Sequence, residues 1–453
     1  MPPFALAPLF ASVFAVWPAR LSVRAASALG LALLGVPSLA AAQTSEEAVE
    51  LPRIRITDPN RELFRLALPN VAGDRGLATE ALEIQRHALD IVGLFNLLDP
   101  RSFPAGLQQE GMGFSSALWT TVGAQGVAKV SVERKGRRVA LEGRLYQVGR
   151  GESPVLSKAY ESPDLRDAVH AWVNDVIGQF TGQPGIFGSR IAYSIYGHRG
   201  EIGSVGADGS EARTLTKMRS DCLMPAFSPS GDRIVFTSYL RGTPDLWVVP
   251  ASGGRARILS RKQGMNSGAS WTPDGRDIIL TLSFEGNAEL YRISGRNGKV
   301  EARLTRSPFI DMSASMSPDG TQIAFVSDRG GTAQIYVMAK NGGASRRITF
   351  QGNNNTTPRW NPDPQKPLIA FTGRDEKGRF DVFVYDLKTK KIERVTQNQG
   401  SNQSPDWSPD GRLLVYSSSR GGLFVANPLT GKETQIYRGR VNSPSWGPAP
   451  KAR

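Results

Sequence analysis

A short signpost, an aromatic or apolar residue followed by a Pro-Asp-Gly-like turn, recurs through the second part of the chain. Its copies occupy residues 227–231, 271–275, 316–320, 360–363, 407–411 and 446–448. The prolines stand at positions 229, 273, 318, 362, 409 and 448, so the period is 44, 45, 44, 47 and 39 residues. A WD40-like period in the forties is typical of a β-propeller, in which each repeat folds into one small sheet.

Each repeat contains four strand-like runs. Proline presets φ and glycine tolerates positive φ, so the signpost predicts a tight turn after the first strand. The second run is β-branched or aromatic, as in residues 323–326, and the third is similar, as in residues 335–338. The fourth run is short and carries arginine, as in residues 347–349. Apolar runs suit buried inner strands, while charge suits an exposed outer edge.

The two ends of the repeat region decide whether the ring closes. Residues 190–194 form a second-type strand with no first strand before it, and residues 443–446 form a first-type strand with no second strand after it. Placed in one sheet, they complete a blade and leave no free edge. The sequence therefore predicts an all-β six-bladed propeller, with Trp446 in the same blade as Ile191 and Tyr193.

The residues before the ring predict a small α/β domain. Hydrophobic residues alternate over 54–56 and 64–68, and residues 130–141 are typical of a hairpin. Residues 79–92 predict a helix with Gly93 as its stop. A second helix is expected after Ser162, with that serine as its cap.

The first residues are typical of an export signal. Arg20 and Arg24 precede an apolar run, residues 25–36, that is too short to span a bilayer, and residues 40–42 are small. We expect cleavage after Ala42, with a retained N-terminal anchor as the alternative. The expected organisation is a signal peptide over 1–42, an α/β domain over 43–184, the propeller over 185–448 and a tail over 449–453.

Residues that would carry chemistry are sparse. The three histidines, His87, His170 and His198, are far apart, and the single cysteine, Cys222, excludes an internal disulfide. No Gly-x-Ser-x-Gly elbow and no His-x-x-x-His zinc spacing occurs. The aspartates of the Pro-Asp-Gly turns recur once per blade, which favours a structural role as turn caps. They are Asp274, Asp319 and Asp410. We therefore predict no catalytic residue, no cofactor and no metal site.

The remaining candidate is a surface. The loops that join the blades emerge on the same face as the loops between second and third strands, and unlike loops on a rigid ring are a common site of recognition. These joining loops are residues 218–223, 263–268, 309–313, 352–357, 400–404 and 440–443. A net charge of +14 can indicate a nucleic-acid partner, but export and the scattered basic residues argue against one. They favour a solvated basic rim, biased toward an anionic envelope surface.

The assembled pattern resembles the TolB family, periplasmic propeller proteins of the Tol–Pal system. The similarity covers nearly all of the expected mature chain, and its local matches are residues 95–99, Trp119 with Gly123-Ala124, and residues 181–187 leading into 190–193. The resemblance implies a periplasmic, monomeric scaffold, peripheral to the membranes, that binds two proteins and supports outer-membrane integrity and constriction during cell division. A periplasmic propeller enzyme, a hydrolase or lyase with its site at the ring mouth, is the alternative.

The resemblance also implies where the partners bind. In the family the ring binds the outer-membrane lipoprotein Pal, and the segment after the signal peptide engages the inner-membrane protein TolA. The matching Pal-facing residues are Met265, Asn266, Ser267, Asp311, Met312, Ser313, Asn354, Asn355 and Thr356. Met265 stands where the family commonly has histidine. The matching TolA-facing residues are Leu51, Arg53, Ile54, Arg55 and Ile56.

Overall fold

The computed structural model describes residues 63–197, 200–375 and 377–449. The expected signal peptide and the TolA-like segment, residues 51–56, lie outside this range, as does His198. None of the described helices is long and apolar enough to cross a membrane.

The first domain is a mixed sheet with helices on both faces. Its strands are β1 (Phe64–Ala67), β2 (Ala72–Gly73), β3 (Phe95–Leu97), β4 (Gly126–Lys135), β5 (Arg138–Gln147) and β6 (Leu156–Ser162). Its helices are α1 (Arg75–Val92), α2 (Ala105–Gln108), α3 (Ser116–Thr121) and α4 (Leu165–Thr181), with a 3-10 turn over Pro100–Ser102. The sheet order is β3-β1-β4-β5-β6, and β2 pairs with β4 outside this order. Strand β1 is parallel to both of its neighbours and β2 is parallel to β4, while β4, β5 and β6 pair antiparallel. The expected α/β class and the β4–β5 hairpin are confirmed.

Helix α1 ends where the sequence predicts but begins earlier. Gly93 closes it in the left-handed conformation, with φ of 63°. The helix begins at residue 75 instead of 79, because the Asp74 carboxylate accepts hydrogen bonds from the amides of Gly76 and Leu77 at 3.1 and 3.3 Å. These bonds satisfy two of the free amides of the first turn.

Helix α4 corrects the predicted cap. Ser162 is the last residue of β6, so the prediction that it caps the helix is wrong. The cap is Asp164, whose carboxylate accepts from the amide of Arg166 at 2.7 Å and from that of Asp167 at 3.4 Å. A carboxylate at this position also interacts favourably with the positive end of the helix dipole.

The second domain is a closed ring of six four-stranded antiparallel sheets, as predicted. In chain order, blade 1 begins with β7 (Arg190–Ile195), β8 (Glu201–Gly206) and β9 (Arg213–Thr214). Blade 2 is β10 (Cys222–Phe227), β11 (Arg233–Ser238), β12 (Asp245–Pro250) and β13 (Arg257–Ser260). Blade 3 is β14 (Asn266–Trp271), β15 (Asp277–Leu282), β16 (Glu289–Ser294) and β17 (Val300–Arg303).

The remaining blades follow the same order. Blade 4 is β18 (Asp311–Met316), β19 (Gln322–Ser327), β20 (Gln334–Ala339) and β21 (Ser345–Arg347). Blade 5 is β22 (Asn355–Trp360), β23 (Leu368–Arg374), β24 (Phe380–Asp386) and β25 (Ile392–Arg394). Blade 6 is β26 (Asn402–Trp407), β27 (Leu414–Ser418), β28 (Gly422–Ala426) and β29 (Glu433–Tyr437), and β30 (Val441–Trp446) completes blade 1.

Strand β30 closes the ring. It pairs with β7 in the register Trp446 opposite Ile191, so one blade is built from both ends of the domain, as predicted. The first strand of every blade lies innermost, where it contacts the first strands of its neighbours around a central channel. The aspartates of the Pro-Asp-Gly turns cap those turns as expected: Asp274 accepts from the Thr272 hydroxyl at 2.6 Å and from the Arg276 amide at 3.1 Å.

The α/β domain packs on the edge of blades 6 and 1. The side-chain amide of Asn427 donates to the Val92 carbonyl at 3.0 Å, and Lys432 forms an ion pair with Asp90 at 2.8 Å. One hydrophobic cluster continues from α1 and α4 into β7, β27 and β28. Both domains belong to one compact unit.

Asp208, in the turn after β8, is the most buried charge at this contact. Its carboxylate lies 2.6 Å from Nη1 of Arg166 and 3.3 Å from Nε2 of His170, both on α4. Burial works to raise the pKa of Asp208, but the nearby His170 ring and the hydrogen bonds from Ser210 outweigh it and hold this pKa well below its usual range. An ionised carboxylate therefore joins the ring to the α/β domain.

Candidate protein-binding face

The ring has two faces of different construction. Strand direction alternates within a blade, so the links between blades lie on the same side as the loops between second and third strands. The links are residues 215–221, 261–265, 304–310, 348–354, 395–401 and 438–440. We call this side the link face, and the opposite side, which carries the Pro-Asp-Gly turns, the turn face.

The link face lies away from the α/β domain. Asp208, Asn427 and Lys432, which hold that domain, all lie in turns of the turn face. Arg412, in a Pro-Asp-Gly turn, also donates from that side, to the Pro184 carbonyl at 3.1 Å. The described part of the α/β domain, from residue 63 onward, therefore leaves the link face open.

Links and loops of the link face hold one another in place. The Ile310 amide donates to the Asp328 carboxylate at 2.8 Å, and the Asn287 side-chain amide donates to the Phe309 carbonyl at 2.6 Å. The Met265 amide donates to the Ser283 hydroxyl at 2.8 Å. These bonds make the face a fixed surface, which limits the entropy that an interface loses on binding.

Part of the predicted Pal-facing set is buried, which corrects its expected placement in exposed loops. Asn266, Asp311 and Asn355 are the first residues of innermost strands, and with Met312 they are almost inaccessible to solvent. The innermost strands begin two or three residues earlier than the sequence predicts. These short polar segments look like solvent-exposed links in the sequence, so their first strand residues are predicted as loops. The structure gives these four residues a supporting position beneath the face.

Asn266 shows what that support consists of. Its side-chain oxygen accepts from the Ser260 hydroxyl at 2.8 Å and from the Lys262 amide at 2.9 Å. Its side-chain nitrogen donates to the Lys262 carbonyl at 2.7 Å. One buried amide thus fixes the backbone of the whole link 261–265.

Asp311 and Asn355 also support the link face from below, in the next two blades. Asp311 forms a two-oxygen ion pair with Nη2 of Arg329 at 2.9 and 2.8 Å. Burial raises the pKa of Asp311, and bonds from Ser327 and Arg329 only partly oppose that rise. The Asn355 side chain donates to Gln334 at 2.9 Å and to the Gln351 carbonyl at 2.8 Å.

The other members of the predicted Pal-facing set are accessible. Each of them is half-buried at the mouth of the channel, where a partner can reach its side chain. They are Met265, Ser267, Ser313, Asn354 and Thr356. Their role in binding stays a prediction.

The innermost strands share a left-handed residue near the channel mouth. Residues with positive φ occupy the third position of each: Met224, Gly268, Ser313, Thr357, Ser404 and Ser443, with φ between 49° and 65°. Each strand has a bulge there, and the Ser404 amide donates to the Thr372 hydroxyl of the preceding blade at 2.9 Å. Sequence reasoning missed this feature, although proline at the next position in four of the six strands is a signal for it.

A cavity lined by innermost strands and Pro-containing turns lies at the turn face. This cavity of about 300 Å³ contains Arg359 and Asp406, with Nε and Oδ1 3.7 Å apart. Burial raises the pKa of Asp406, and Arg359 works against that rise. The Asp406 carboxylate also accepts from the Trp446 amide at 2.8 Å, so it joins two neighbouring blades.

Catalytic and metal-binding groups are not gathered on the described part of the link face. His170 is buried against the ring, and His87 Nε2 lies 2.8 Å from the Asp208 carbonyl, so both belong to the domain contact. Cys222 is buried, and burial raises its pKa to about 12. Within residues 63–197, 200–375 and 377–449, no three His, Cys, Asp or Glu side chains are placed to hold a metal ion.

Fold and face together define a β-propeller protein with an α/β domain packed on its turn face and an open ring of unlike links on the other. Residues 52–153 match the TolB amino-terminal domain, and residues 177–450 match the TolB beta propeller domain. The chain belongs to the TolB family.

Comparison with individual relatives agrees with this assignment. The chain is 37% identical over 436 residues to the Tol-Pal system protein TolB of Myxococcus xanthus (strain DK1622), covering 93% of this chain and 98% of that protein. It is 39% identical over 234 residues to TolB of Anaeromyxobacter sp. (strain K), a match that spans 49% of this chain and about half (52%) of that relative. The crystal structure of TolB from Acinetobacter baumannii superposes with a TM-score of 0.76 at 25% identity, covering 86% of this chain and 97% of that one.

Proposed function

We propose that the chain is a periplasmic, monomeric scaffold of the Tol–Pal system that binds the Pal lipoprotein through the link face. TolA binds the segment Leu51 to Ile56, and the two contacts together support outer-membrane integrity and constriction during cell division. The observation that carries the proposal is the open link face: six unlike links on a closed ring, on the side away from the described α/β domain.

A protein partner suits this face better than a substrate. The links present amides, hydroxyls and basic groups over a broad surface, whereas an enzyme concentrates convergent titratable groups in one pocket. The relatives are named for the Tol–Pal system and not for an enzymatic activity. No described feature favours the alternative of a hydrolase or lyase at the ring mouth.

Calorimetry with the soluble domain of the Pal lipoprotein from the same bacterium tests the proposed face. Phe350, in the link 348–354, is 71% exposed, and Leu429, on the turn face, is 52% exposed. We expect Phe350→Ala to weaken binding by about 2 kcal/mol if it is a central contact, and Leu429→Ala to leave it unchanged. Equal affinities for wild type and Phe350→Ala, with a loss for Leu429→Ala, would move the site to the turn face.

The N-terminal segment acts as a switch in this proposal. Pro52 and Pro59 disfavour a long stable strand, so the segment can exchange between docked and free states at small energetic difference. Leu63, the first described residue, lines a cavity of about 630 Å³ between α1, β3 and Lys432. Residue 56 is seven positions away, which is a reach of about 23 Å, so the segment can dock in that cavity.

Reciprocity makes the switch measurable. If Pal binding changes the availability of residues 51–56 to TolA, the coupling is about 1–3 kcal/mol and acts equally in both directions. Deleting residues 43–56 should then change the Pal dissociation constant although the link face is untouched, while deleting only residues 43–49 should not. Equal constants for both deletions and the mature protein, at one salt concentration, would reduce the segment to a simple tether.

A further inference from the structure

The charge of the six links is unevenly distributed around the ring. Four consecutive links carry all of its link-borne Lys and Arg: residues 438–440, 215–221, 261–265 and 304–310. The links 348–354 and 395–401 contain no charged residue and are rich in Asn and Gln. The sixth and first of these links are neighbours, because β30 and β10 touch and the Phe227 amide donates to the Ser445 hydroxyl at 3.3 Å. The basic links therefore form one continuous arc, which we call the basic arc.

Six cations of the basic arc are exposed and take part in no ion pair among the described residues. Lys217, Arg219, Arg261, Lys262, Arg306 and Arg438 are all exposed, and none forms an ion pair within 4 Å among the described residues. Lys262 instead lies over the Phe284 ring, with Nζ 5.3 Å from its centroid. The only acid within these four links is Asp221.

The supporting cations below the face behave differently. Arg303 and Arg329 are paired with Glu289 and Asp311 at 3.1 and 2.8 Å, so their charge is already compensated inside the blades. Uncompensated charge remains at the outer tips of the arc, where it raises the local concentration of an anionic partner. This contrast separates a structural set of arginines from a set available for binding.

We infer that the link face takes a partner surface that is acidic where it faces the basic arc, and that the arc orients this partner. The inference rests on the proposed function and specifies the chemistry of the lipoprotein surface that docks there. The uncharged links offer paired donors and acceptors, such as Gln351 and Asn398, and the exposed ring of Phe350 beside them. These groups suit a neutral polypeptide surface.

An acidic protein fits this arrangement better than the other anionic or apolar occupants. A second copy of this chain is disfavoured because the chain itself is strongly basic, at +14. An anionic membrane is laterally uniform, so it gains nothing from links whose basic residues are gathered on one side of the ring. A folded acidic surface gains both steering and a fixed rotational orientation from that asymmetry.

Matched charge reversals test the inference. The first variant, Arg261→Glu with Arg306→Glu, changes two unpaired cations of the basic arc. The control, Arg255→Glu with Lys340→Glu, makes the same change in net charge at exposed positions of the turn face. Association rates with the soluble domain of the Pal lipoprotein are measured from about 50 to 500 mM salt, a range over which surface charges are progressively screened.

The expected result is an association rate at low salt that falls about tenfold for the basic-arc variant, with a flatter salt dependence, and changes less than about twofold for the control. Equal rates for both variants, or a salt-independent wild-type rate, would overturn the inference while leaving the proposed function intact. Absence of any binding by the wild-type protein would instead reject the proposed function. The wild-type protein is also tested for binding to phosphatidylglycerol vesicles. If it binds, if only the basic-arc variant loses this binding, and if the association rate with the lipoprotein does not depend on salt, the arc binds lipid and the inference is overturned.

Discussion

The indole Nε1 of Trp446 donates to the hydroxyl of Ser189 at 2.9 Å, in a buried contact between residues 257 positions apart in the chain. Trp446 ends the last strand of the ring, and Ser189 immediately precedes the first. The two ends of the domain are therefore joined by a side-chain bond as well as by the pairing of β30 with β7. Closure of this kind removes the exposed edges that an open array of blades would present.

Deleting residues 440–453 should strip blade 1 of its innermost strand. The loss includes the burial of Val441 and Trp446 and the pairing with β7, and we expect roughly 5 kcal/mol or more of destabilisation. The matched control removes only residues 449–453. Thermal unfolding should show a large drop for the longer deletion alone, and a midpoint within a degree or two of the mature protein would contradict closure by β30.

Asn266→Ala should destabilise the protein, although the residue borders the link face. The substitution leaves the Lys262 amide and carbonyl and the Ser260 hydroxyl without their partner, which costs about 1–3 kcal/mol for buried groups. The exposed neighbour Gln263 provides the control, since Gln263→Ala should change stability by less than about 0.5 kcal/mol. Urea unfolding that does not separate the two variants would show that Asn266 does not hold the link.

Asp208→Asn should weaken the contact between ring and α/β domain in a pH-dependent way. Because the pKa of Asp208 is held below its unfolded value of about 3.9, the ionised carboxylate contributes stability above that pH, and the contribution is lost as the pH falls through the folded-state pKa. We expect wild type to exceed the variant by about 1–3 kcal/mol at pH 7 and the difference to shrink below about pH 4.

Denaturant unfolding at pH 7, 5 and 3.5 measures that difference, with the exposed Asp221→Asn as the control. A constant gap between wild type and Asp208→Asn across this range would show that the carboxylate acts by packing alone and not by its charge.

The ring was predictable because its signals are local. Proline and glycine mark each turn, and the incomplete repeats at residues 190–194 and 443–446 show which blade is shared. The first residue of α4 was harder to predict from the sequence. Ser162 and Asp164 are both good N-caps, and only the extent of β6 decides between them.

The burial of Asn266, Asp311 and Asn355 could not be inferred from the chain. Each is a polar residue in a polar stretch, and its burial depends on how the blade packs. Asn266 bonds to Ser260 and Lys262 nearby, whereas Asp311 pairs with Arg329, which lies in the loop after the next strand. The role of Asp208 could not be inferred either. In the sequence it is an ordinary turn aspartate, and only the folded structure brings it next to Arg166 and His170 of α4. Tertiary contacts, and not local propensity, separate the supporting residues from the accessible ones.

Amide hydrogen exchange of the complex with the soluble domain of the Pal lipoprotein can locate the binding face. We expect exchange to slow in the links 261–265, 304–310 and 348–354, because a docked partner excludes water from these backbone groups. Exchange in the turn-face segments 207–212 and 427–432 should stay at the rate of the free protein. Protection confined to those turn-face segments, with the links unchanged, would contradict binding through the link face.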